Sequence, residues 1–133
     1  MRILGLSLGV VSGICFGIGL FHLFIGLRRR RADLKHVTFG GFALCYGGSV
    51  LGGLLMYQAP SLSRYVVHDR WSGLLVALTF VSLTWFVTVY TASVSRWVPM
   101  LLTALFCAVA TAHVTRPALV YAEIAGIVPL TLP

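Results

Sequence analysis

Two stretches of this chain lack Asp, Glu, Lys and Arg, are long enough to cross a bilayer, and are separated by a block of arginine. Residues 3–27 form one such stretch of 25 residues, and residues 37–57 another of 21. A helix rises about 1.5 Å per residue, so about 20 apolar residues cross about 30 Å of hydrocarbon. Between the two stand Arg28, Arg29, Arg30 and Arg31, with Lys35 just beyond, so five of the ten basic residues fall within eight positions. A helix–basic loop–helix pattern of this kind specifies an all-α integral membrane protein and fixes the side on which the loop lies.

Composition agrees. Of 133 residues, 59% are hydrophobic and 10% charged, against about 25% charged in a soluble domain. A soluble core of this size cannot hide so much apolar surface, so the solvent is lipid. The net charge of +7 does not indicate nucleic acid, because half the basic charge sits in one short loop between spans, where anionic head groups account for it. Cys15, Cys45 and Cys107 lie inside apolar runs without metal-ligand spacing and read as small hydrophobes. The first run is too long for a signal-peptide core, and its strong positive charge follows rather than precedes it, so it reads as a retained span.

Two further spans complete a transmembrane region over residues 1–114. The expected helices cover about 3–27, 37–57, 71–91 and 97–114, the last with Pro99 in its first turn, where proline is tolerated. The first and third loops share one side and carry six Lys and Arg. The second loop and the two ends carry four: Arg2, Arg64, Arg70 and Arg116. The positive-inside rule then puts the first and third loops in the cytoplasm and both ends outside. Residues 115–133 are too short and too proline-broken to span, and read as an extracytoplasmic tail that begins a longer segment.

Packing signals lie within the spans. Gly5, Gly9, Gly13 and Gly17 recur every four residues, and Gly41, Gly48 and Gly52 follow in the second span. Small residues on one face let helices approach closely, within one chain or between two copies. The third span offers the hydroxyls of Thr79, Ser82, Thr84, Thr88 and Thr91, which are expected to bond back to their own helix.

Five polar residues are candidates for signal sensing: His22, His68, Asp69, Arg70 and His113. Span ends apart, His22 is the one imidazole inside a span, and an ionisable group there is a functional candidate. It lies near the cytoplasmic end of its span and His113 near the outer end, roughly 20 Å apart in depth, so one haem iron cannot join them. His36 falls in the basic loop. His68 and His113 share the outer side and, with Asp69 or Glu123, are the one set positioned for an outer metal site. Asp69 at the start of the third span suits a helix N-terminus, with Arg70 pairing with it or reaching to head groups. No thiol-redox pair, Ser/His/Asp set, His-Glu-x-x-His motif or phosphate loop is present, and no cofactor is implied.

Several local strings run through nearly the whole chain: Phe21-His22-Leu23-Phe24-Ile25-Gly26-Leu27, Asp33-Leu34-Lys35-His36, Phe42-Ala43-Leu44-Cys45-Tyr46, Leu54-Leu55-Met56-Tyr57-Gln58-Ala59, Asp69-Arg70-Trp71, Trp85-Phe86-Val87 and Tyr90-Thr91. In these the chain resembles the N-terminal seven-helix membrane module that precedes PAS, histidine-kinase and diguanylate-cyclase domains in bacterial sensors. The resemblance implies an outside N-terminus, a parent chain continuing through further helices to a cytoplasmic output domain in a bacterial inner membrane, and a sensory input role with a small-molecule ligand; the glycine faces add a homodimer as an alternative partner. Any enzyme activity would belong to that output domain. Two alternatives from other classes are a small membrane subunit that stabilises a transporter or complex, and a haem or quinone redox subunit.

Overall fold

The computed structural model describes residues 2–28, 33–92 and 95–115. Arg29, Arg30, Arg31, Arg116, Glu123 and the expected tail from residue 116 onward lie outside the described residues. Four helices follow in order: α1 (Arg2–Arg28), α2 (Leu34–Tyr57), α3 (Leu62–Thr91) and α4 (Trp97–Thr115). Each is long and apolar enough to cross a membrane. Large side chains face outward: Leu6, Leu20, Phe21, Phe24 and Leu101 are all more than half exposed, while the buried hydrophobic residues are Ala43, Ala77 and Ala110. This distribution inverts that of a soluble core and is the one expected where lipid is the solvent.

The caps show where each helix starts and stops. Asp33 caps α2, its carboxylate accepting from the Lys35 N–H at 3.2 Å. Ala92 ends α3 in the left-handed region at φ 52°, its N–H bonded to Thr88 O. The largest departure from the sequence reading is the start of α3. It begins nine residues before Trp71, capped by the Ser61 hydroxyl, which accepts from the Arg64 N–H at 3.5 Å. Much of the expected 58–70 loop is therefore helix. An apolar-run criterion marks the edge of the lipid-soluble segment, whereas a helix continues as far as its cap allows. Asp69 consequently lies in the eighth position of α3, away from the N-terminal dipole, and the capping role expected of it is corrected.

The helices form an open row. Among the described residues α1 packs on α2, α2 on α3 and α3 on α4, and no other pair of helices packs together. The α1–α2 seam follows a seven-residue register. Gly5 faces Leu54, Ser12 faces Gly47, Gly19 faces Gly40, and the Gly26 carbonyl accepts from the Asp33 N–H at 3.2 Å. At the Gly19–Gly40 crossing, a Cβ on Gly40 would stand 2.9 Å from Gly19 O and 3.0 Å from Leu23 N, which is backbone and cannot turn aside. The buried Ser12 hydroxyl donates to Gly47 O at 2.9 Å, a bond across helices worth about 0.6 kcal/mol on average in a membrane.

The four-residue stripe and this seam part company. Among the described residues Gly9, Gly13 and Gly17 meet no other helix within 4 Å of a Cβ position, and Gly5 alone of the four meets α2. The reason is angular. At about 100° per residue, a step of four drifts about 40° around the helix, whereas a step of seven drifts only about 20°. By Gly17 the stripe has rotated about 120° off the seam, while Ser12, Gly19 and Gly26 stay on it.

On α2, adjacent glycines serve different neighbours. Gly40 and Gly47 face α1, while Gly41 and Gly48 face Ser82 and Leu75 of α3, and Gly52 meets Ser72. α4 closes on α3 through stacked Phe80 and Phe106, 5.3 Å between centroids, and through Trp85 Nε1, which donates to the Thr103 hydroxyl at 3.0 Å. Thr79, Thr84, Thr88 and Thr91 donate to carbonyls four residues back on their own helix, as expected.

Candidate functional site

The polar candidates gather at two opposite ends of the row. At the end carrying the arginine block, His22 of α1 and His36 of α2 meet Nδ1 to Nδ1 at 2.9 Å. Measured from the Asp33–Gly26 hydrogen bond, His22 is four residues up α1 and His36 three up α2, about 6 Å and about 4.5 Å of rise, so the rings lie nearly level. Asp33 Oδ2 stands 3.9 Å from His36 Nε2. The His22 ring packs edge-on against Phe39 at 4.6 Å, Phe39 lies 5.2 Å from Phe86 of α3, and Phe86 continues to Tyr90 at 5.7 Å. Lys35 Nζ sits 5.6 Å above the Tyr90 ring and Arg28 caps Phe24 at 5.5 Å. Of the topology cluster, Arg28 and Lys35 are thus described, each over an aromatic face.

At the other end, His113 near the close of α4 reaches Asp69 of α3, with Nε2 3.6 Å from Oδ2 and both side chains largely buried. Gly73 permits this approach, because a Cβ there would lie 2.6 Å from His113 Nε2 and 2.7 Å from its Cδ2. Asp69 also lines a cavity of about 450 Å³ between α2 and α3, together with Tyr57, Tyr65, Ser72, Gly53 and Gly73. That volume falls within the range of small-molecule sites, about 300–1,000 Å³. The lining supplies one carboxylate, two phenols and a hydroxyl against an apolar wall of Met56 and Val76. Arg70 follows on α3 with its Nε buried and without a hydrogen-bond partner among the described residues.

Of the five sensing candidates, the structure brings together Asp69 and His113. His68 lies in a separate crevice with Ser63, Arg64 and Val67. Among the described residues no three His, Cys, Asp or Glu side chains converge on a metal position, so the set of His68, His113 and Asp69 is not assembled as a metal site. The His22–His36 pair was missed because His36 was read as loop. Extending α2 back to the Asp33 cap and counting levels from the loop would have revealed it.

No family model matches this chain, and neither the curated proteins nor the solved structures contain a match. The class that fold and composition define is an all-α protein with four helices able to cross a membrane, the make-up of a multi-pass membrane protein.

Proposed function

We propose that this chain is the membrane-embedded sensory input region of a bacterial signalling receptor of the histidine-kinase or diguanylate-cyclase type. Its orientation in the inner membrane follows from the arginine block: the His22–His36 end faces the cytoplasm, and the Asp69–His113 end and the N-terminus face outward. The observation that carries this reading is the cavity beside Asp69, at the end remote from the arginines, where a small molecule arriving from outside would meet a carboxylate and two tyrosines. Ligand binding between α2 and α3 would bias their packing, and the altered packing would pass to an output domain further along the parent chain.

The open row favours a second reading equally well. Among the described residues α1 and α4 each pack on one helix, and their other faces suit either further helices of the same chain or those of a partner, as in a small subunit that stabilises a membrane complex. The coding sequence beyond Pro133 separates the two. The receptor reading expects additional spans followed by a soluble signalling domain. A stop immediately after Pro133 contradicts it and leaves the subunit reading.

A further inference from the structure

We propose that His22 and His36 form a proton-binding site that latches α1 to α2. A neutral imidazole has one N–H and one lone pair, and an imidazolium has two N–H groups and no acceptor. An Nδ1–Nδ1 contact of 2.9 Å therefore requires one N–H between the two rings and one lone pair to receive it. The pair can hold one proton beyond neutrality. In that state His36 is the imidazolium, donating through Nδ1 to His22 while its Nε2–H faces Asp33. A second proton leaves two N–H groups pointing at each other with like charge, and the contact cannot persist.

The surroundings bear on that second proton. Arg28 on α1 and Lys35 on α2 add positive charge, Asp33 opposes it, and α3 contributes Tyr90 beneath Lys35. α4 touches neither α1 nor α2. Nor does the seam have slack here, since a Cβ on Gly26 would stand 2.8 Å from Val37 Cγ2 and 3.2 Å from His36 Cβ. The rings separate by turning about their own side-chain torsions or by moving one helix end against the other, and the Asp33 amide, bonded to Gly26 O, reports the second. Among the described residues α1 packs on α2, and the His22–Phe39–Phe86 contacts connect the histidine pair to α3. Histidine is the side chain suited to respond between about pH 5 and 8.

The test uses the full chain in lipid nanodiscs with ¹⁵N-labelled histidine and aspartate, giving four rings and the amides of Asp33 and Asp69 to follow, with His68 and His113 as internal references. The latch predicts that His22 and His36 titrate as a coupled pair in two steps, and that the Asp33 amide, bonded to Gly26 O, shifts with the second step. In His22→Asn the His36 ring titrates in one step and the Asp33 amide loses that pH response. His36→Gln gives the reciprocal result for His22 and serves if the first variant does not fold. Unchanged His36 and Asp33 profiles in His22→Asn, or an unchanged His22 profile in His36→Gln, would overturn the proposal.

Discussion

The two histidine contacts lie at opposite ends of the helix row, and they are built for different work. At the arginine end the rings touch directly at 2.9 Å, on a glycine seam already closed by a backbone hydrogen bond, and aromatic side chains fill the space toward α3. At the other end His113 stands 3.6 Å from Asp69, and the same carboxylate borders a cavity of about 450 Å³. The first contact is closed and the second borders room for an occupant; the opening of about 570 Å³ at the arginine end is lined by Leu34, Trp85, Thr88 and Arg96 and not by the histidines. Both depend on a glycine, Gly26 in the first case and Gly73 in the second, but the neighbours differ. Gly26 abuts the Val37 backbone, whereas Gly73 abuts the far end of a side chain that can swing away. The closed end should therefore respond to substitution through stability, and the open end through local geometry.

The largest effect is expected at the crossing that holds the closed end. Gly40→Ala drives a methyl group into the backbone of Gly19 and Leu23 and should cost about 1–3 kcal/mol in a denaturant titration of the detergent-solubilised protein. Next is His36→Gln, which removes the ring contact and should cost about 0.5–1.5 kcal/mol in the same titration. At the open end Gly73→Ala should change stability by less than about 1 kcal/mol while displacing the His113 ring. Its signature is loss of coupling: Asp69→Asn shifts the His113 signal in the parent but not in the Gly73→Ala background. A large stability loss from Gly73→Ala would erase the contrast between the two ends. Smallest of all is Gly13→Ala, which meets open space and should stay within about 0.5 kcal/mol.

The span count and most span ends were legible because charge is what lipid excludes. α1 and α4 lie within one residue of the expected limits, and α2 ends at Tyr57 as expected. The start of α3 was not legible from hydropathy, since Ser61 sets it and Arg64, His68, Asp69 and Arg70 interrupt the apolar run that follows. The seams were half legible. The glycines announced close packing, but a spacing of four was taken as the contact face when the seven-residue spacing of Ser12, Gly19 and Gly26 follows the partner. The paired glycines Gly40-Gly41 and Gly47-Gly48, seven apart, held the clue that α2 serves two neighbours. Asp69 and His113 were named from sequence as separate candidates, and their meeting depends on Gly73, whose role appears only when α4 is placed. His22 was named without its partner, because His36 lay beyond the apolar run that defined the second span.

Orientation is the claim on which the functional reading rests, and thiol labelling in intact cells tests it most directly. With a membrane-impermeant reagent, Ser63→Cys should be modified from outside, and Ala32→Cys only after the cells are permeabilised. Labelling of Ala32→Cys alone from outside would place the arginine end outward and the Asp69 cavity in the cytoplasm, contradicting the proposed input face.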